Sequence, residues 1–396
     1  MSSLGAELES HLYALERDVV GQRPFSLYIH VPFCAHRCGY CDFNTYAIAT
    51  LPSTAAQEWL LGVIEELKRA RKLLPDTLPK ISTVFFGGGT PTLMSPSYLG
   101  KILKVASDLF SLQSDCEVTV EANPETLDKK VLSELLEVGI TRLSMGMQSS
   151  DPSVLSTLER VHRPRRALEL VSLAHDVGFH DVSLDLIYGT PGETLEQWGR
   201  SLDDALSVNP EHLSAYALVI EERTAMGRAL RNGRIDPVDE DLQADMYIVA
   251  DEKLENAGYQ AYEISNWAKG FAHRARHNMH YWTSDHWWGI GPGAHSHIGG
   301  IRWWNERSPM AYSRAVNNRL PIAGYEILSD EQRRIERILL EIRLADGMPI
   351  DLLTSSEYAR LEQAINSSLI FIDKDRVVLT RRGRLLADAL IRDLLD

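Results

Sequence analysis

Cysteine is scarce in this chain: Cys34, Cys38, Cys41 and Cys116 are the only four in 396 residues. A secreted disulfide scaffold packs more of them into a shorter chain, so that class is excluded. Long apolar runs are missing too, and none reaches the roughly 18 residues of a membrane-spanning helix. The opening stretch MSSLGAELESHLYALERDVVGQ carries acidic residues and no apolar core, unlike a secretory signal. Positive charge is in deficit: 41 Lys and Arg against 55 Asp and Glu leave a formal net charge of −14. Broad binding to nucleic acid needs a basic field, so nucleic acid is not an expected partner. Neither a short-period repeat nor a long low-complexity tract interrupts the chain. These absences lead us to expect a protein of a reducing compartment, the cytoplasm.

What is present is enough apolar sequence, 44%, for a sizeable core. Six strand-like runs punctuate residues 26–219: SLYIHV (26–31), STVFFGG (82–88), EVTVEAN (117–123), RLSMGMQ (142–148), VSLDLIYG (182–189) and HLSAYALV (212–219). Their apolar and β-branched character suits strands buried on both faces. Amphipathic stretches such as 54–74 and 196–208 separate them. Strand and helix alternating about six times predicts an α/β fold, a partial barrel of six parallel β/α units, with functional residues where strands end and loops begin. Beyond about residue 220 the rhythm changes. Residues 238–259 read as one long amphipathic helix, followed by a stretch rich in Trp, His and Gly. The last 70 residues or so suggest a small winged-helix-like α+β module, with helices over 329–344 and 384–395 and a strand and turn over 376–383. The expected divisions are an N-terminal segment (1–25), the barrel core (26–225), an accessory region (226–325) and the C-terminal module (326–396).

Three cysteines follow the first strand in CAHRCGYCDF, spaced Cys34-x3-Cys38-x2-Cys41. Structural zinc normally takes four ligands, and Cys116 lies far off in sequence. His30 or His36 offers a fourth, so zinc stays open on residues alone. Thiolates also suit iron–sulfur clusters, and three of them leave one iron of a cubane free. FFGGGTPT (85–92) ends the second strand. Its glycines let the backbone approach a ligand, yet it has neither the GKS or GKT of a P-loop nor GxGxxG. Glu121, Gln148 and Asp185 lie in or at the ends of later strands, and Arg160 and His162 sit in LERVHR. A polar ligand at the barrel mouth would satisfy them together.

The motif CxxxCxxC, with Tyr40 before its third cysteine, resembles the signature of the radical S-adenosylmethionine (SAM) family. That resemblance implies a 4Fe–4S cluster on Cys34, Cys38 and Cys41, with SAM chelating the open iron. YIHVPFCAHRCGYCDF, FFGGGTPT, VEANPE, SMGMQS and DLIYGTPGET together resemble the subgroup around the oxygen-independent coproporphyrinogen III oxidases. It implies SAM contacts at Tyr28, Tyr40, Gly88, Gly89, Thr90, Glu121, Gln148, Arg160 and Asp185. Those oxidases resemble CxxxCxxCxC, whereas Phe43 stands here in place of the added cysteine, and only about 27 residues precede YIH. The Cys-Asp-Phe ending is similar to HemW-type heme chaperones. So is HNMHYW (277–282), whose family counterpart HNxxYW is linked to heme binding and makes His277 the candidate heme ligand. A neutral imidazole is a common axial ligand of heme iron. The resemblance implies a chaperone that delivers heme to respiratory cytochromes, as a homodimer, touching the membrane only through its client, with no catalytic residue assigned. The alternative expectation is porphyrinogen oxidation by the oxidase chemistry.

Overall fold

The computed structural model describes residues 3–15 and 23–395. Of the expected N-terminal segment, residues 1, 2 and 16–22 lie outside the described residues, as does residue 396 at the other end. Helix α1 (Ser3–Tyr13) packs Leu8 and Leu12 into the main core.

Six strands follow the β/α pattern: β1 (Phe25–Val31), β2 (Ile81–Gly88), β3 (Leu112–Ala122), β4 (Arg142–Gln148), β5 (Asp181–Tyr188) and β6 (His212–Ala217). Each pairs with the next in parallel. The crossovers contain α2 (Ala55–Leu73), α3 (Pro96–Phe110), α4 (Lys129–Glu137), α5 (Arg166–Val177) and α6 (Leu195–Ser207). Side-chain caps start α4 and α6, whereas Thr54 and Ser95 stand at the starts of α2 and α3 without capping them. Thr194 and Gln197 form a reciprocal capping box at α6, and Asp128 caps α4 by accepting from Val131 N–H. The long helix read over 238–259 is α7 (Glu240–Asn256), begun by Asp239.

The strands alternate. In β4, Leu143, Met145 and Met147 enter the apolar core, while Arg142, Ser144, Gly146 and Gln148 face the barrel interior. In β5 the inward set is Ser183, Asp185 and Ile187; in β6 it is His212, Ser214 and Tyr216. Successive side chains of a strand point to opposite faces, so every second residue meets the helices and the others meet the cavity.

The sheet does not end at the six strands. Two short strands, β7 (Gln260–Ala261) and β8 (Asn266–Ala268), extend it antiparallel beyond β6. On the other side β9 (His286–Ile290) runs parallel to β1, and β10 (His295–Ile298), β11 (Ile301–Asn305) and β12 (Ile322–Ile327) follow antiparallel. The full order is β12-β11-β10-β9-β1-β2-β3-β4-β5-β6-β8-β7. β1 and the cysteine loop after it therefore lie in the interior of the sheet.

Residues 262–285 close the end of the barrel where the strands begin. His273 carbonyl accepts from Arg142, and its ring bonds Asp181. Helix α8 (Arg276–Trp282) carries HNMHYW and is capped by Glu117 of β3, whose two carboxylate oxygens accept from Arg276 and His277 N–H at 3.0 Å each.

The last 60 residues have an apolar cluster of their own, built on Ile338, Ile342, Leu361, Val377 and Leu390 among others. A three-stranded sheet (348–349, 370–373 and 376–379) packs there with helices over 330–341, 355–366 and 387–395. Arg381 and Arg384 tie it to α7 through buried Asp251.

Candidate cofactor site at the strand ends

A cavity of about 810 Å³ fills the barrel interior and opens beside the cysteine loop. Cys34 ends a two-residue strand paired in parallel with Tyr46–Ala47, which fixes the start of the loop. The glycine run lies against it: Gly89 N–H donates to Val31 carbonyl at 2.8 Å and Thr90 N–H to Phe33 carbonyl at 2.7 Å. A Cβ on Gly89 would strike the Phe33 carbonyl and come within 3.0 Å of Cys34 Sγ. Gly88 has φ +109°, where a side chain is strained, and its N–H donates to Glu121 at 2.9 Å.

All four cysteines are free. Cys34, Cys38 and Cys41 line this cavity, whereas Cys116 is buried elsewhere with its thiol pushed up to about 12 by burial. Burial also raises Cys34 and Cys41; Cys41 and Cys38 add to the rise of Cys34, and Cys38 to that of Cys41. Arg160 donates to Cys38 Sγ at 3.4 Å and would hold charge beside a thiolate. Both ring nitrogens of His30 are engaged, Nδ1 by Tyr28 hydroxyl and Nε2 by Asn44 carbonyl at 3.0 Å each, so His30 is not placed as a zinc ligand. Among the described residues no three His, Cys, Asp or Glu side chains converge on a single metal ion. Three free thiols on one loop, facing one cavity, fit a cluster better than an ion.

Deeper in, the walls are charged and under-satisfied. Asp185 accepts from Ser144 and Ser214, at 2.8 Å each; burial raises its carboxyl despite them. Burial pushes Glu121 up to about 7, with Asp185 adding repulsion. Thr119 Oγ1, Arg142 Nη2, Gln148 Oε1, Arg160 Nε and His162 Nδ1 are buried without a hydrogen-bond partner among the described residues. Buried polar atoms are nearly always satisfied, so this wall is shaped for a polar ligand.

A profile of the radical SAM superfamily matches residues 28–205. A protein of Mycobacterium tuberculosis (strain ATCC 25618 / H37Rv) named Heme chaperone HemW is 45% identical over 374 residues, covering 94% of this chain and 95% of that one. The chain belongs to the HemW family of radical SAM proteins. The Heme chaperone HemW of Bacillus subtilis (strain 168) is 33% identical over 92% of this chain and 97% of its own. Among solved structures, the coproporphyrinogen III oxidase (HemN) from Escherichia coli, a radical SAM enzyme, superposes with a TM-score of 0.82. It is 21% identical and covers 98% of this chain and 93% of that one, so the two share a fold.

In this HemW-family chain the barrel cavity gathers every residue that the family resemblance assigned to the cluster, SAM or heme, whereas Cys116 and His30 do not line it. Tyr28, Tyr40, Gly88, Gly89, Thr90, Glu121, Gln148, Arg160, Asp185 and His277 line it with the three cysteines. They do not share one level. The cysteines and glycines rim the open end, while His277 lies at the closed end, 1% exposed. Its Nδ1 meets Thr83 Oγ1 at 2.7 Å, its Nε2 meets Tyr281 hydroxyl at 2.9 Å, and its ring stacks on Phe85 with centroids 5.0 Å apart. Burial holds the imidazole neutral, with its pKa well below the ordinary value.

Sequence reasoning missed Arg142, Ser144, Ser183, His212, Ser214 and Tyr216, which line the same wall. Their signal is the period-two polar pattern inside these largely apolar runs: Arg142-Ser144, Ser183-Asp185 and His212-Ser214-Tyr216.

Proposed function

We propose that this protein is a heme chaperone that carries a 4Fe–4S cluster and SAM and passes heme to respiratory heme proteins. The match over nearly its whole length to relatives that bear that name is the observation that carries this reading. Cys34, Cys38 and Cys41 hold the cluster, which supplies an iron with an open coordination position. Tyr28, Tyr40, Gly88, Gly89, Thr90, Glu121, Gln148, Arg160 and Asp185 surround SAM. Gly88 and Gly89 keep the rim thin, Glu121 offers a carboxylate to a cationic group, and Gln148 and Arg160 offer buried polar atoms that lack partners in the protein. Tyr40 lines the cavity beside the thiols, and Arg160 donates to Cys38 Sγ.

Heme is cargo, held near the HNMHYW helix, where His277 is the candidate named by the motif. For His277 to bind iron it must release Thr83 or Tyr281. Transfer takes place in the cytoplasm by protein contact, with the chaperone as a homodimer. Among the described residues no helix is long and apolar enough to cross a membrane, so approach to a membrane client runs through that client. The core at 26–225, the region at 226–325 and the module at 326–396 form successive working parts of this reading.

The test is anaerobic cluster reconstitution, heme titration and transfer to membranes containing heme-free cytochrome. Saturable binding near one heme per chain, followed by heme appearing in the cytochrome, is the expected result. Decarboxylation of a porphyrinogen by the same preparation, without heme binding, would replace this reading with the oxidase.

A further inference from the structure

A second cavity, about 550 Å³, opens between the cysteine loop and the loop joining β9 to β10. That size lies within the range of small-molecule sites. It exists because β9 runs parallel to β1: pairing of Ile29 with Ile290 carries residues 291–295 to the same end of the sheet as the cysteines. Tyr28, Gly88, Glu121 and Tyr281 form the wall between it and the barrel cavity, lining both, and Phe43 reaches both from the cysteine loop.

The outer walls are flat and aromatic. Phe43, the residue that stands in place of a fourth loop cysteine, is 58% exposed here. Trp304 and Trp287 face it across the cavity. Trp304 lies over Gly324, where a Cβ would strike its indole. Trp287 Nε1 donates to His295 carbonyl at 3.0 Å and fixes that residue's backbone.

Two imidazoles line this space. His30 has both nitrogens engaged. His295 is exposed, its ring is stacked on Trp304 with centroids 5.9 Å apart and planes at 24°, and no hydrogen bond among the described residues reaches its ring nitrogens. Burial, then Arg307 and Arg302, lower its pKa, which keeps a lone pair available at neutral pH. Arg307 stands at the rim. It donates weakly to Asn44 Oδ1 at 3.5 Å and forms no ion pair among the described residues. Arg302, by contrast, is already paired with Glu326 and Glu336.

We propose that this cleft is the heme seat: His295 ligates the iron, Trp304 braces that imidazole by stacking on it and meets the macrocycle by its edge, Phe43 packs on the macrocycle, and Arg307 pairs with a porphyrin carboxylate. The inference rests on the heme-carrying reading and relocates its ligand from His277, which then acts as a positioning residue by holding Tyr281, a wall of the cleft, at 2.9 Å. An aromatic slot with one free imidazole and one free guanidinium matches the three chemical parts of heme: iron, flat ring and acid side chains. Among the described residues, no hydrogen bond to the His295 ring must break for it to bind.

The test is hemin titration of the cluster-loaded full chain, followed by visible and electron paramagnetic resonance spectra, for wild type, His295→Ala, His277→Ala and Arg307→Glu. His295 is exposed, so its removal leaves folding and the cluster absorbance unchanged. Expected are at least tenfold weaker binding and an altered axial-ligand spectrum in His295→Ala, recovered by added imidazole. Arg307→Glu weakens binding severalfold with the wild-type spectrum, and His277→Ala keeps that spectrum at a lower melting temperature. A wild-type spectrum and affinity in His295→Ala would overturn the seat while leaving the chaperone reading intact. Absence of saturable binding in wild type would overturn both.

Discussion

Glu121 is a half-buried carboxyl on the cavity wall that accepts from Gly88 N–H, and its titration makes the site pH-sensitive. Burial raises it to about 7, above the ordinary 4.5, with Asp185 adding to the rise and Gly88 N–H opposing it. A raised carboxyl in the folded state contributes stability fully present below pH 4.5 and lost as pH rises through about 7. The ligand-free protein should therefore lose on the order of 3 kcal/mol from this group across that window. Urea unfolding at pH 5 and 8 should show a smaller difference for Glu121→Gln than for wild type; equal differences would mean Glu121 keeps an ordinary pKa. A cationic ligand beside it favours the carboxylate, so SAM affinity should rise from pH 6 to 8 in wild type and stay level in Glu121→Gln, as calorimetry would read. Gly89 is the other decisive position. Because its missing Cβ makes room for the Phe33 carbonyl and Cys34, Gly89→Ala must move backbone. Iron and sulfide per chain after reconstitution should fall by half or more, and full loading would show that the loop yields.

At the scale of elements, α8 has seven residues and would not persist alone; its start depends on Glu117 reaching across from β3. Glu117→Ala leaves the N–H groups of Arg276 and His277 without their acceptor and should cost about 1–2 kcal/mol. Hydrogen exchange over 276–282 should speed up before that of β3, and unchanged protection there would assign the helix's stability to packing alone. The same elements show how far sequence reading reaches. The six parallel strands were legible because apolar, β-branched runs recur with helices between, and most observed limits fall within a residue or two. β3 begins earlier, at Leu112, and β6 ends at Ala217 rather than at residue 219. The cysteine loop and glycine run were legible because their spacing is local. β9 to β12 were not: HWWGI and HSHI are short, interrupted by histidine and glycine, and become strands by pairing with β1 and with one another. The HNMHYW helix was visible as a motif, but its place beneath the barrel follows from Glu117 and Thr83, far away in sequence.

Over the whole molecule, the sheet sets two cavities on either side of β1 and makes them share a wall. Tyr28, Gly88, Glu121 and Tyr281 face both, and Tyr281 also packs edge-on against Trp287 with centroids 4.8 Å apart. A ligand in the barrel cavity that fixes Tyr28 and Glu121 leaves less side-chain ordering to be lost when the second cavity fills. Occupancy should then be coupled, and linkage requires equal coupling in both directions. With cluster-loaded protein, saturating SAM should tighten heme binding about fivefold or more, and saturating heme should tighten SAM by the same factor. Tyr281→Phe keeps the ring against Trp287 and removes the hydroxyl bonded to His277. If that hydroxyl transmits the effect through His277, coupling falls while each separate affinity changes little. Titrations of each ligand with and without the other measure this directly. Equal heme affinities in the presence and absence of SAM would mean that the shared wall carries no coupling between the two cavities.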